Sequence, residues 1–405
     1  MIPRLTLDID WRDLRFAWSA RADKGAEGRI LGGIPADRGG VVCLSVRTAL
    51  DALLAELKLP AGSEVLMSAV NIQNMADIVR AHELTVVPVD ITLDGLAPTP
   101  AQLEAAVTPA SRLFLLAHLF GARVPTEGLA TVCRRHGLLF VEDCAQAYDG
   151  VLDASPGTDA SLYSFGPIKT ATALGGAVAL FADRGLAARV RHRTAGYPPV
   201  PLGWWRRRVV KHMALKAASA PWATGLVIRL LALLGRDADA VIGGAARGFK
   251  AGDLLSQLRR RPPEPLLSLL ARRLETPRRA QLALRLGERR GQVRRIVEGV
   301  GRAPGLHVAR HAWWLLPVLT RDPATAIDRG RRAGFDVTRG ATSLRAFAPA
   351  PVAEALIGQV VYLPLRTGMS AGQERALGAV AGRFDAIVDR ADRVPHLSKV
   401  LEPTA

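Results

Sequence analysis

Two neighbouring stretches decide how this chain folds: VEDCAQAYDG at 141–150 and SLYSFGPIKTATALGGAV at 161–178. LLFVEDCAQA, which begins at Leu138, has the apolar run of a buried strand and ends on a carboxylate, Asp143. DASLYSFG and GGAVALF read as two more strands flanking a turn that holds Lys169. Alone, a carboxylate at a strand end is usually a cap or an ion-pair partner, and a lysine in a turn is usually solvated. Together they point to one edge of an α/β sheet, because ligand sites in such sheets lie beyond the carboxyl ends of the strands.

Working outward, residues 41–190 alternate helical and strand-like segments, the pattern of a doubly wound α/β sheet. TALDALLAELKL is an amphipathic helix and GSEVLMSA a buried strand. MADIVRAHEL (helix), TVVPVDI (strand), TPAQLEAAV (helix opened by Thr99 and Pro100), RLFLLAHLFG (strand) and EGLATVCRRHG (helix closed by Gly137) continue the series. From Leu266 the chain reads as helical again, then WWLLPVLTR, FDVTRGAT and QVVYLPLR read as strands. SAGQERALGAVAGRFDAIVDRAD is a last helix with Ser370 as N-cap and Glu374 near its positive end. The expected division is a large α/β domain over 1–203, a basic, apolar helical insertion over 204–262, and a smaller C-terminal α+β domain over 263–405.

With 49% hydrophobic and 22% charged residues among 405, the chain is globular rather than disordered. MIPRLTLDIDWRD, at the start, lacks the apolar core of a secretory signal and alternates like a short strand. Cys43, Cys133 and Cys144 form no CxxC pair, so neither zinc nor redox chemistry is expected and no metal is assigned. These features suit a cytoplasmic protein.

A buried pyridine cofactor makes three demands: a carboxylate to keep its ring nitrogen protonated, a lysine to form an imine, and donors for a phosphate. All three types occur within this α/β unit. PVDITLDGLAPTPAQLEAAVTPASRLFLLAHLFG, VEDCAQAYDG, SFGPIK and GGAV resemble the DegT/StrS type of sugar aminotransferase among the fold type I pyridoxal-phosphate enzymes. The resemblance runs from about Val41 to Phe181, with an echo in YLPLRTGMSAGQ. It implies that Lys169 carries the cofactor as an aldimine and serves as general base. It makes Asp143 the partner of the ring nitrogen, Gln146 a contact of the phenolic oxygen, and Ser164 a phosphate-contacting hydroxyl.

Three positions depart from the family. Where it shows Ser-Gly-Thr at a helix start, this chain has Ser45, Val46, Arg47 and Thr48, so Arg47 and Thr48 are assigned to the phosphate. Ile72 stands where a stacking aromatic is usual, and Leu174 replaces a glutamate. His118, Tyr148 and Arg366 are candidates for substrate contact. For Trp204 and Trp205, a groove and a core remain open readings, while Trp313 and Trp314 are read as core. The resemblance further implies a homodimer that transfers an amino group from an amino acid, with glutamate the expected donor, to a nucleotide-linked keto sugar. A lipid or carrier-tethered ketone or aldehyde is the alternative acceptor. A non-catalytic cofactor-binding regulator is the alternative from another class, against which the retained Lys169 argues.

The net charge of +17 is uneven. Residues 184–302 hold 26 Lys and Arg against 7 Asp and Glu, so the rest of the chain is net −2. Within the insertion, three readings compete: helices packed on the large domain or across a dimer interface, a peripheral membrane contact through 204–247 led by Leu226, Ile228, Leu230 and Leu233, and nucleic-acid binding. The last is disfavoured because no recognised module accompanies the charge. A spanning helix is not expected, since Lys211, Lys216, Pro221 and Arg229 interrupt the apolar run.

Overall fold

Continuously apolar runs become strands here because both faces of one sheet are covered. The computed structural model describes residues 1–4, 7–20, 23–235, 253–300 and 303–385. Its strands are β1 (Gly39–Cys43), β2 (Glu64–Ser68), β3 (Val70–Ile72), β4 (Thr85–Val89), β5 (Ser111–Ala117), β6 (Ala122–Arg123), β7 (Leu139–Asp143), β8 (Ala160–Ser164), β9 (Ala177–Phe181), β10 (Arg310–His311), β11 (Leu316–Leu319), β12 (Leu344–Ala346) and β13 (Val360–Leu363). Seven of them form the main sheet in the order β1-β9-β8-β7-β5-β2-β4. The pairs from β8 through β4 are parallel, and β9 runs antiparallel to both β8 and β1. The protein therefore has the expected α/β fold with a mainly parallel sheet.

Alternation along each strand divides the core. Leu66, Phe114 and Phe140 face a layer with Leu103 and Leu129 from the helices Pro100–Ala106 and Glu127–Arg135. Val65, Met67, Leu113 and Val141 face the helices Val46–Leu57, Gln73–Ala81 and Arg184–Ala195. The helix signals act where the sequence puts them. Thr99 forms a capping box with Gln102, Ser370 forms one with Gln373, and Gly137 follows the helix Glu127–Arg135 at φ +63°.

Several local expectations need correction. RLFLLAHLFG leaves the strand at Ala117, because Phe120 and Gly121 turn the chain at positive φ. FDVTRGAT forms isolated bridges rather than a strand: Asp336 is buried, and Arg4 takes both of its oxygens at 2.7–2.8 Å. The N-terminal segment contributes one bridge, Ile2 to Phe335, and becomes helical over Trp11–Ser19 behind the Asp10 cap. The helical stretch after Leu266 divides into Glu264–Leu274 and Thr276–Val297 at an extended Glu275, with Pro277 in the first turn of the second helix. The last helix runs over Ala371–Ala381, and residues 386–392 of that expectation lie outside the described residues.

β11 and β13 pair, and around them the helices Thr276–Val297, Pro323–Arg332 and Ala371–Ala381 enclose Val293, Ile296, Leu316, Val361 and Leu377. β10 adds to β6 and β12 to β3, which ties the C-terminal part to the large sheet unit. Within 204–262 the described helices are Leu202–Ala218, Pro221–Leu233 and Leu254–Leu258, while residues 236–252 lie outside the described residues. Among the described residues no helix is long and apolar enough to cross a membrane. The three cysteines are buried and unpaired.

Part of the basic excess is paired within the molecule. Arg273 and Arg278 bind Asp13 at 2.6 and 2.7 Å, Arg285 binds Asp8 at 3.0 Å, Arg259 binds Asp51 at 3.0 Å and Arg193 binds Glu56 at 2.6 Å. Part of the charge thus clamps the N-terminal segment and the helices rather than facing an external partner.

Candidate functional site

The parallel strands β2, β5, β7 and β8 end at one edge of the sheet. Beyond them lies a cavity of about 490 Å³, and Asp143, Gln146, Ser164 and Lys169 all reach its wall. Two separated motifs meet there because parallel strands point their carboxyl ends the same way.

Asp143 is the last residue of β7 and is buried. Its Oδ1 accepts the Ala145 amide at 2.9 Å, which fixes the carboxylate at the start of the turn. Burial raises its pKa, opposed by the Ala145 amide and by the charges of Lys169 and Arg47. Gln146 follows in the same turn, with its Oε1 taken by the Phe120 amide at 2.9 Å.

Lys169 sits in the β8–β9 connection. That connection is pinned by the Phe165 carbonyl, which accepts the Ala173 and Gly175 amides, and by Asp8, which accepts the Ala171 amide at 2.8 Å. The Lys169 Nζ lies 4.1 Å from the centre of the Trp314 ring, and the Trp314 indole donates to the Ile168 carbonyl at 2.6 Å. Burial pushes the Lys169 pKa down to about 8, with Asp143 opposing and Arg47 adding to the fall. A neutral amine is therefore accessible near physiological pH.

Ser45 caps the helix Val46–Leu57 by accepting the Thr48 amide at 3.2 Å, and Ser45, Val46 and Arg47 line the cavity. Thr48 does not. It is buried, and its hydroxyl donates to the Leu258 carbonyl at 2.9 Å, so Thr48 serves helix packing rather than the cavity. Burial lowers the Arg47 pKa to about 10, against the pull of Asp143. Ile72 forms part of the wall beside Asn71, held by the pairing of β3 with β12.

The three substrate candidates all lie away from the cavity wall. His118 is fully buried: its Nδ1 accepts the Val124 amide, so its Nε2 donates to Glu142 at 2.9 Å. Glu142 also takes Arg123, Ser155 and Ser161, and this network holds its carboxyl far below the usual range despite burial. Tyr148 packs edge-on against Tyr163 and Phe165 in the core. Arg366 is half-buried, and its carbonyl accepts from Gln292 at 2.6 Å.

Four wall or neighbouring residues escaped assignment from sequence. Asn71 and Arg208 line the cavity without any motif to mark them. Trp204 lines it too, whereas its neighbour Trp205 is core and donates to the Ala17 carbonyl at 3.0 Å. Trp314 is buried as expected, but its ring face carries Lys169. For the tryptophans the missing signal is which neighbour of a pair faces inward.

Residues 37–198 match the DegT/DnrJ/EryC1/StrS aminotransferase family. Over 156 residues the chain is 33% identical to a UDP-N-acetyl-3-dehydro-alpha-D-glucosamine 3-aminotransferase of Acidithiobacillus ferrooxidans, a match covering 38% of this chain and 42% of that relative. The chain therefore spans about two-fifths of the length of that relative. Over nearly the whole chain the likeness is one of fold. The sugar aminotransferase CalS13 of Micromonospora echinospora superposes with a TM-score of 0.65 at 19% identity, covering 94% of this chain and 99% of that one. A GDP-4-keto-6-deoxy-D-mannose-3-dehydratase of E. coli, solved with bound hydrated PLP, does so with a TM-score of 0.66 at 13% identity, covering 94% and 99%.

Proposed function

We propose that this chain, whose residues 37–198 match the DegT/DnrJ/EryC1/StrS aminotransferase family, is a pyridoxal-phosphate-dependent aminotransferase that moves an amino group from an amino acid, glutamate by preference, to a nucleotide-linked keto sugar. The observation that carries this is the meeting of Lys169, its pKa lowered by burial, with the buried carboxylate Asp143 in one cavity.

The residues present fit the cofactor. Asn71 is buried at the wall, and among the described residues its Nδ2 has no hydrogen-bond partner, a costly state that a polar ligand relieves. Asp143 would hold the ring nitrogen, whose positive charge favours the ionised carboxylate and offsets its burial. Ser45, Arg47, Ser164 and the open amides of the helix Val46–Leu57 would hold the phosphate. Ile72 would cover one ring face, and Gln146 would lie beside the ring. Bound there, pyridoxal phosphate supplies the electron sink for the pair left when a proton departs the amino-bearing carbon. Lys169 would hold the group through Nζ. Once released by the donor amine, the same Nζ would serve as the base that takes the proton from the donor carbon and would hold it for return. Trp314 beneath Nζ limits where that amine can swing.

The test is direct. Purified protein supplied with the cofactor should acquire a visible absorption band, and borohydride should fix the cofactor to the Lys169 peptide by mass. Absence of both in the wild type refutes the proposal. Incubation with glutamate and either nucleotide keto sugars or long-chain ketones separates the two acceptor classes, and failure of transfer to either favours the regulatory alternative. A homodimer is part of the proposal, checked by sedimentation equilibrium.

One observation supports a peripheral membrane contact and, with it, the lipid-linked acceptor. Trp222, Leu226, Leu230 and Leu233 are exposed at helical spacing along Pro221–Leu233, with Leu234 beyond them and exposed Arg229 among them. Leu202, Val210 and the N-terminal Trp11 and Trp18 extend the exposed apolar set on helices packed in series. We assign this face to an anionic bilayer surface, where apolar side chains insert and arginines meet the headgroups. Cosedimentation with phosphatidylserine vesicles should fall several-fold in Trp222→Ser/Leu226→Ser. Equal sedimentation of wild type and variant excludes it.

A further inference from the structure

The cavity wall carries more positive charge than one cofactor can neutralise. Arg47, Lys169, Arg208, Arg260 and Arg345 line it, while Asp143 is the sole carboxylate among the described lining residues. A bound phosphate monoester brings a charge of roughly −1.5 to −2, which leaves about two positive charges facing the remaining space.

Arg208 is the cation best prepared for a second anion. It stands one turn beyond Trp204 on the helix Leu202–Ala218, and its guanidinium lies 4.7 Å from the Trp204 ring centre. Its Nε donates to the Leu174 carbonyl, which fixes the plane of the group. Among the described residues no carboxylate lies within ion-pair distance of it, and its terminal NH groups make no hydrogen bond. Burial alone depresses its pKa, to about 10. A half-buried charge held in a fixed plane without a counter-ion is expensive unless a ligand completes it. The donors left over form the planar fork that matches a carboxylate or phosphate.

We infer that Arg208, backed by Trp204, is the substrate anchor of this cavity: its guanidinium takes an anionic group, carboxylate or phosphate, of the molecule that enters beside the cofactor, while the indole packs against the adjoining part. The inference rests on the proposed function for the cofactor's place in the cavity. It also gives the helical insertion a task, since the helix Leu202–Ala218 becomes one wall of the substrate site and sets specificity.

The experiment titrates the cofactor-loaded protein with UDP and, separately, with glutarate, following tryptophan fluorescence and heat release. In Arg208→Gln, affinity for one probe should drop roughly tenfold or more, the loss expected of a charge-assisted bond, with the visible cofactor band unchanged. Loss confined to UDP identifies the phosphate of the acceptor as the anion, and loss confined to glutarate identifies the donor carboxylate. Arg208→Lys keeps the charge but not the fork, and should show a smaller loss on the same probe. Unchanged affinity for both probes in both variants overturns the inference. Should Arg208→Gln lose the cofactor band, Arg208→Lys decides alone: weaker binding of one probe supports the anchor and wild-type binding of both refutes it. Because wild-type cofactor loading is read by its own band, failure of the function proposal is visible separately from failure of the anchor.

Discussion

At the scale of the residue, Lys169 and Asp143 govern one another. Only the neutral amine attacks a carbonyl, so cofactor loading of the apoprotein should accelerate as pH rises and level off above about 8, the value to which burial brings Lys169. Stopped-flow absorbance at a series of pH values checks this. Asp143 holds the Lys169 pKa up, so Asp143→Asn should move the midpoint to lower pH while weakening retention of the cofactor. An unmoved midpoint in Asp143→Asn would show that the two groups are not coupled. Lys169→Ala should abolish the borohydride-stable adduct.

Among the elements, the turn after β5 does more for the site than its sequence announces. Gly121 adopts φ +106°, and a Cβ there would meet the Trp314 amide at 2.7 Å and the Trp313 amide at 3.0 Å. The Gly121 and Phe120 carbonyls accept the Ala312 and Leu315 amides, so this turn docks the C-terminal segment that sets Trp314 under Lys169. Gly121→Ala should cost at least about 1–2 kcal/mol from the backbone alone. It should also alter the near-ultraviolet dichroism of the tryptophans; an unchanged spectrum with full stability would contradict the docking role. The same turn explains why AHLFG yields a buried His118 rather than a substrate contact: the chain has already left the strand, and the ring is committed to Glu142 and Val124.

For the whole molecule, the N-terminal segment acts as an ionic strap. Asp13 is fully buried and binds Arg272, Arg273 and Arg278, while Asp8 faces Arg285 and also fixes the Ala171 amide in the Lys169 loop. Removing one partner of a buried pair strands the others, so Asp13→Ala should lose on the order of 3 kcal/mol in urea unfolding. The pH dependence has a definite sign. The Asp8, Asp51 and Glu142 carboxyls all titrate below their ordinary values in the folded chain, each against its own burial cost. Their contribution is complete above the unfolded carboxylate range near 4 and is lost as pH falls through the lower folded values. The unfolding temperature should therefore hold steady from pH 7 to about 5 and drop steeply below 4. A protein equally stable at pH 3 and pH 7 would remove the strap from the account.

What was legible without coordinates is what local pattern specifies. Strand runs buried on both faces, capping at Thr99 and Ser370, and the pairing of a strand-end carboxylate at Asp143 with a turn lysine at Lys169 follow from residue type and spacing, since those signals act within a few residues. The alternation in 41–190 was enough for the sheet. Tertiary structure alone decided which side chains of a motif face the cavity: Thr48 turned inward to Leu258, Tyr148 entered the core, and Trp204 parted from Trp205. It also decided the fate of the charge, since the pairing of Arg273 with Asp13 spans 260 positions and leaves no periodic trace. Arg208 and Asn71 reach the wall only because separate elements converge on one sheet edge. Convergence of that kind is a property of the packed chain, and no short stretch of it carries the information.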